Sequence, residues 1–364
     1  MDLQADVTRI AVELIGIPSV SRNESAIADA VERALGACSH LEVIRDGNTV
    51  IARTQFGHAE RVILGGHLDT VPPAANEAPL LLRVGEAAPD TGEPLPEDRL
   101  YGLGACDMKG GAAVELKLAA TVTAPTRDIT YVFYECEEIE AQLNGLRRIA
   151  DTRPELLEAD FAVLMEPSNA VVEAGCQGTM RIDLRTHGRR AHTARAWMGE
   201  NAIHALHPIL ERLHTYQPRT PVIDGLQYRE GLQAVSVSGG VAGNVVPDAT
   251  VITINYRFAP DRSPAEAEAH LREVFAGYDV TVVDVAAGAL PGLSHPAAAA
   301  FVAATGGSAE PKFGWTDVAR FSALGIPAVN FGPANPALAH TQYEYVPVAD
   351  LHRVETQLRT WLTS

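Results

Sequence analysis

The chain is 364 residues long, past the roughly 250–300 residues at which a single hydrophobic core usually stops growing, so two domains are expected. Its 46% hydrophobic and 21% charged content exclude an intrinsically disordered chain. A net charge of −17 excludes a general nucleic-acid binder, which needs a basic surface for the phosphate backbone, so an anionic ligand would require a local basic pocket.

The opening stretch MDLQADVTRIAVELIGIPSV carries acids where a secretory signal needs bases, and no later apolar run has the length of a membrane span; a cytoplasmic protein without a membrane partner is expected. Residues 6–16 place apolar side chains at helical spacing. The next segment, 21–35 (SRNESAIADAVERAL), adds a serine cap and an early acid to an apolar stripe. Short β-type runs follow at 50–52, 62–64, 129–133 and 161–164, with a helix predicted over 111–122. Strands alternating with helices predict crossovers and a largely parallel sheet. Between two motif-bearing stretches, residues 74–99 are rich in Pro, Glu, Ala and Gly and read as a long surface excursion.

The texture changes near residue 175. Strand-like alternation at 180–186, 234–239 and 251–258, with helices at 201–216 and 263–275, predicts a small α+β layer whose sheet is solvated or paired on one face. After residue 290 the earlier pattern returns: a helix at 296–304, a helix at 316–324, a strand at 328–331 and a last helix from 349. Residues 1–174 and 291–364 are therefore expected to form one α/β domain, with 175–290 inserted as a second.

The chemistry collects where these strands end. VILGG is followed by His67 and Asp69, YGLGA by Asp107, ITYVFY by Glu135, Glu137 and Glu138, FAVLM by Glu166, and AVNFGP by a loop reaching His340. Ligands of open α/β sheets sit outside the carboxyl ends of the strands, so these groups are expected to converge. Imidazoles and carboxylates without thiolate form a donor set for zinc, manganese or cobalt, and the inventory suffices for two ions sharing a carboxylate. Two such ions make an otherwise unfavourable carboxylate cluster favourable. Asp69, two residues from His67, is placed to orient that imidazole. Asp107 also reads as an N-cap of the following helix. The cysteines Cys38, Cys106, Cys136 and Cys176 lack C-x-x-C spacing and read as reduced, mostly buried thiols.

The segments GGHLDTVP (65–72), YGLGACDMKGG (101–111), ECEEI (135–139), MEPS (165–168) and GPANPALAH (332–340) resemble, in order, the metal-site motifs of the dizinc hydrolase family that includes acetylornithine deacetylase, succinyl-diaminopimelate desuccinylase and the glutamate carboxypeptidases. The resemblance implies a zinc-dependent exopeptidase-like α/β catalytic domain with an inserted α+β lid or dimerisation domain, hence a homodimer. It implies two Zn²⁺ per subunit, with Co²⁺ or Mn²⁺ as substitutes. His67, Asp107 and Glu166 would hold one ion, and Glu138, His340 and the shared Asp107 the other. Glu137 would be the general base, Asp69 the brace of His67, and Glu135 would lie outside the ligand shell. His192, in GRRAHTARAW, resembles the family histidine that supplies an oxyanion donor from the partner's lid.

Substrates of this family are small N-acyl amino acids and short peptides. Arg189, Arg190, Arg195, Asn244, Arg257, Lys312 and Thr316 are the residues suited to grip their polar ends. Asn244 and Arg257 resemble carboxylate-binding positions of the desuccinylase branch, which implies cleavage of N-succinyl-LL-2,6-diaminopimelate in lysine and cell-wall synthesis. Gly175-Cys176-Gln177-Gly178-Thr179 and Phe313-Gly314-Trp315 depart from that branch at positions bearing on the acyl pocket. N-acetylornithine deacetylase and dipeptidase readings stay open beside it, as does a metal-stabilised binding protein without catalysis.

Overall fold

The computed structural model describes residues 1–73 and 78–364. Two compact units are present, one of Met1–Ala174, Gly292–Glu310 and Arg320–Ser364, the other of Gly175–Pro291 and Pro311–Ala319. The division read from the sequence assigns all of 291–364 to the first unit; the short segment Pro311–Ala319 packs with the second instead.

An eight-stranded mixed sheet, in the order Glu42–Asp46, Thr49–Arg53, Asp128–Tyr134, Arg61–His67, Phe161–Leu164, Ala328–Asn330, Val172–Ala174, Ala309–Pro311, organises the first unit. Its middle is parallel, as expected: Arg61–His67 pairs in parallel with both Asp128–Tyr134 and Phe161–Leu164, and Ala328–Asn330 continues the pattern. All seven residues of Asp128–Tyr134 are buried, as a strand covered on both faces requires. Toward one side the sheet turns antiparallel, because Glu42–Asp46 and Thr49–Arg53 are joined by only Gly47 and Asn48, a loop too short for a crossover. Gly47 supplies the positive φ, +60°, that such a turn demands.

Late segments seal this core. Phe301 of helix Pro296–Ala304 and Trp361 of helix Val348–Thr363 meet edge to face at 4.8 Å, and both contact Phe161 on the central strand. Each such aromatic pair is worth about 0.5–1.5 kcal/mol beyond its buried area.

Two local expectations change. Ser21 does not cap its helix, which runs Ser25–Leu35 from Glu24 without a side-chain cap; its hydroxyl is engaged elsewhere. Of the excursion at 74–99, residues 74–77 lie outside the described residues. Its remainder forms strand Leu80–Leu82, paired with Arg99–Tyr101, which pairs in turn with Tyr345–Pro347 around a small cluster of Ala88, Leu95 and Tyr101.

The second unit carries an antiparallel sheet in the order Gly231–Gly239, Ala249–Phe258, Gly178–His187, Val280–Ala286. Met180, Ile182 and Leu184 alternate inward with Ile252, Ile254, Tyr256 and Phe258 against helices His207–Thr215 and Pro264–Val274. Ser263 and Glu266 form a capping box before Pro264. The helix expected over 201–216 shortens to His207–Thr215 because Asn201 turns its side chain back onto the Ile203 N–H and Pro208 sets the start of the helix. The outer strand Gly231–Gly239 exposes Val235 and Val237.

Among the described residues, no helix is long and apolar enough to cross a membrane.

Candidate metal centre

The parallel strands deliver the site. His67 is the last residue of its strand, Glu135 to Glu138 follow Asp128–Tyr134 directly, Glu166 stands two residues beyond Leu164, and His340 lies on the loop after Ala328–Asn330. Asp107 rides on the turn Ala105–Lys109 before helix Gly110–Thr121.

Candidate donor atoms of His67, Asp107 and Glu166 all lie within 4.8 Å of one another, as do those of Asp107, Glu138 and His340. Asp107 belongs to both groups. Its Oδ1 is 3.0 Å from His67 Nε2 and its Oδ2 is 3.5 Å from His340 Nε2, while Glu138 Oε1 is 2.9 Å from His340 Nε2. The Asp107 side chain therefore faces the two imidazoles and does not cap the helix behind it.

Charge distribution follows from this packing. Burial acts against both buried charges, yet the imidazoles outweigh it at Asp107, whose pKa falls, and the carboxylates Asp107 and Asp69 outweigh it at His67, whose pKa rises well above its ordinary value. His340, hydrogen-bonded first to Asp107 and then to Glu138, is raised to about 10. Without a cation these groups neutralise one another as ion pairs. Oxygen and imidazole donors, no thiolate, and one carboxylate whose two oxygens serve different groups fit a pair of divalent ions of the zinc, manganese or cobalt type.

Asp69 is fully buried and holds several parts together. Its Oδ1 accepts the Glu137 N–H at 3.0 Å, and its Oδ2 accepts the Glu138 N–H at 3.1 Å and the Ser21 hydroxyl at 2.7 Å. The nearer partner of His67 Nδ1 is the Asp69 carbonyl oxygen at 3.0 Å; the carboxylate Oδ1 is 3.5 Å away. Burial tends to raise the Asp69 pKa, but His67, the Glu137 N–H and Ser21 reverse it.

The Glu166 turn is clamped by close backbone approach. A Cβ at Gly111 would stand 2.2 Å from the Met165 carbonyl oxygen, and one at Gly332 would stand 2.3 Å from the same atom. Ser168 Oγ accepts the Gly332 N–H at 3.0 Å.

Glu135 pairs with Arg148 at 2.7 Å and is separate from both groups built on Asp107. It does cluster with Glu24 and Cys136. There the thiol is pushed up to about 12, by burial first and Glu24 second, and donates to Glu24 Oε1 at 3.2 Å, so this trio presents a neutral S–H and no thiolate ligand. Cys106, Cys136 and Cys176 are buried, Cys38 partly so, and none is disulfide-bonded.

The remaining candidates lie in the second unit. His192 is exposed and accepts the Ala194 N–H on Nδ1; its segment bridges to Val245, and Thr193 donates to the Asn244 carbonyl at 3.0 Å. Arg189 and Arg190 pair with Glu200 and Asp248, while Arg195 is exposed. Arg257, solvent-accessible, makes no ion pair among the described residues and has its pKa lowered, mainly by partial desolvation. Lys312 and Thr316 are buried, and the Thr316 carbonyl approaches Cys176 Sγ at 3.7 Å.

Ser21 and Glu344 escape the sequence reading. Glu344 is buried and accepts three backbone N–H groups of the Asp107 turn. A weak signal existed for it, a carboxylate four residues beyond a ligand-type histidine; Ser21 had none beyond its resemblance to a cap.

Known proteins resemble this chain over its full length. A family model described as peptidase family M20/M25/M40 matches residues 63–363. A Mycobacterium tuberculosis H37Rv protein, described provisionally as the succinyl-diaminopimelate desuccinylase DapE, is 54% identical over 365 residues, covering 100% of this chain and 99% of that protein. The succinyl-diaminopimelate desuccinylase of Corynebacterium glutamicum is 44% identical over 374 residues, covering 100% and 98%. Among solved structures, the YXEP protein of Bacillus subtilis, described as a dinuclear metal binding peptidase of the M20 family, shares the fold with a TM-score of 0.65 at 15% identity, over 99% of this chain and 97% of that one. Fold, motif order and full-length likeness agree: the chain belongs to peptidase family M20/M25/M40, whose members are metal-binding hydrolases of amide bonds.

Proposed function

We propose that this chain hydrolyses N-succinyl-LL-2,6-diaminopimelate to succinate and LL-2,6-diaminopimelate, using two divalent metal ions, zinc by preference. The observation that carries the reading is the Asp107 carboxylate shared by two donor groups, in a chain 44% identical end to end to a named desuccinylase. His67, Asp107 and Glu166 would hold one ion, and Asp107, Glu138 and His340 the other. When bound, such a pair polarises the scissile carbonyl and acidifies water.

The chain's own residues then have distinct tasks. Glu137, whose backbone is fixed by Asp69, takes a proton from the attacking water as the new C–O bond forms, and delivers it to the nitrogen as the C–N bond breaks. The acyl group leaves as a carboxylate and the diaminopimelate nitrogen as an amine. His192 would donate to the oxyanion of the tetrahedral stage in the partner subunit's site. Arg257, which makes no ion pair among the described residues, would grip a substrate carboxylate, with Asn244 and Thr316 as further substrate-binding residues. Zinc-loaded protein is expected to turn over N-succinyl-LL-2,6-diaminopimelate at least about a hundredfold faster, in kcat/KM, than N-acetylornithine or dipeptides, the scale on which a site built around a hydrogen-bonded group rejects analogues lacking it. Activity confined to the latter two would refute the desuccinylase assignment.

The same reading includes a homodimer formed through the second unit, supported by the unpaired outer edge of Gly231–Gly239 and its exposed Val235 and Val237. Sedimentation equilibrium should give twice the chain mass, falling to one chain mass in Val237→Asp. A wild-type monomer at micromolar concentration contradicts it.

A further inference from the structure

Glu344 lies in neither donor group, yet its placement serves both. Its side chain is 3% exposed. Oε1 accepts the N–H groups of Cys106 and Asp107, each at 2.8 Å, and Oε2 accepts that of Gly104 at 3.2 Å. All three donors belong to the turn that presents Asp107, the one residue common to the two groups.

The turn departs from regular secondary structure at these donors. Gly104 sits at φ +77°, and a Cβ there would stand 2.7 Å from Thr70 Cγ2, so the chain takes a conformation no sheet ladder can satisfy. Buried N–H groups without acceptors are costly, and one carboxylate answers three of them. The backbone of Glu344 is tied to the same region, since its carbonyl accepts the Gly102 N–H and the next strand, Tyr345–Pro347, pairs with Arg99–Tyr101. The buried Lys109 ammonium, which donates to the Ile17 carbonyl at 2.8 Å, lies near enough for its charge to interact with that of Glu344. The buried carboxyl group thus has both donors and a nearby basic group.

We propose that Glu344 is a positioning residue for the metal centre: its carboxylate, gripping the N–H groups of residues 104, 106 and 107, sets the orientation in which the Asp107 side chain spans the two donor groups. Because Glu344 lies four residues after His340, one short segment supplies a donor to one group and the support of the carboxylate common to both. The inference rests on the two-metal reading. A carboxylate is required because both of its oxygens accept; in glutamine one end is an NH₂ donor facing the N–H of Gly104 or those of Cys106 and Asp107.

The test compares wild type, Glu344→Gln and Glu344→Asp, stripped of metal and titrated with Co²⁺. Calorimetry gives stoichiometry and affinity, the visible spectrum reports the Co²⁺ ligand field, and thermal melting of the metal-free proteins reports folding. Glu344→Gln is expected to melt within a few degrees of wild type, to bind Co²⁺ about 10–100-fold more weakly with an altered spectrum, and to lose kcat while KM changes less than about threefold, the scale of losing a support behind a ligand. Glu344→Asp, which keeps two acceptor oxygens one methylene short, should recover part of the affinity. Wild-type Co²⁺ affinity and spectrum in Glu344→Gln, whatever its melting temperature, would overturn the proposal; if that variant does not fold, the same result in Glu344→Asp does so. Wild-type protein taking up fewer than two Co²⁺ would instead defeat the two-metal reading beneath it.

Discussion

Replacing Glu137 with Gln should leave two metal ions per chain and lower kcat by about 10³-fold, within the 10²–10⁴ range that a positioned general acid–base supplies. The substitution is nearly isosteric, and the hydrogen bond that holds this position runs from the backbone N–H to Asp69, so the turn carrying Glu138 is retained. What disappears is a group able to accept the water proton and give it back to the leaving amine. Metal content by mass spectrometry and initial rates on N-succinyl-diaminopimelate are the measurements. A variant with full metal and wild-type kcat would transfer the base role elsewhere; one that has lost metal would mark Glu137 as a ligand.

Asp107→Ala has the larger expected effect. Removing the shared carboxylate leaves His67 with Glu166 on one side and Glu138 with His340 on the other. Each set is one donor short of the three protein ligands a catalytic zinc site uses. Both ions should be lost on dialysis and activity should fall at least about 10⁴-fold, beyond the loss of the base alone. The metal-free variant offers an independent reading. The Asp107 hydrogen bond is the largest contribution raising His340 to about 10, so in Asp107→Ala the imidazole should titrate at lower pH by NMR. Retention of one tightly bound ion with half the activity would mean that the two groups do not depend on a common residue.

Much of this centre was legible because it depends on alternation. Parallel strands must end at one edge, so a histidine or carboxylate directly after each apolar run can be assigned to that edge from the linear chain. His67, Glu138, Glu166 and His340 were readable in this way; Asp107, read alike, instead follows Arg99–Tyr101, a strand of the small antiparallel sheet. The supports were not legible, since their chemistry depends on three-dimensional encounters. Ser21 has the sequence context of a helix cap, and only the fold reveals that its hydroxyl points 48 residues along the chain to Asp69. Glu344 has only its spacing from His340 to mark it; its role comes from three N–H groups about 240 positions earlier. The second unit divided similarly. Its strands were readable from period-two alternation, whereas the attachment of Pro311–Ala319 depends on packing partners that no local pattern encodes.

The discontinuity of the first unit has a consequence for biosynthesis. Its aromatic cement joins Phe161 to Phe301 and Trp361, and its last donor, His340, comes after the inserted stretch Gly175–Pro291. A ribosome must therefore translate past the inserted unit before the central sheet can close or the second group of donors can exist. Until those late segments emerge, the nascent chain exposes an open sheet with unclosed edges, the state in which aggregation competes.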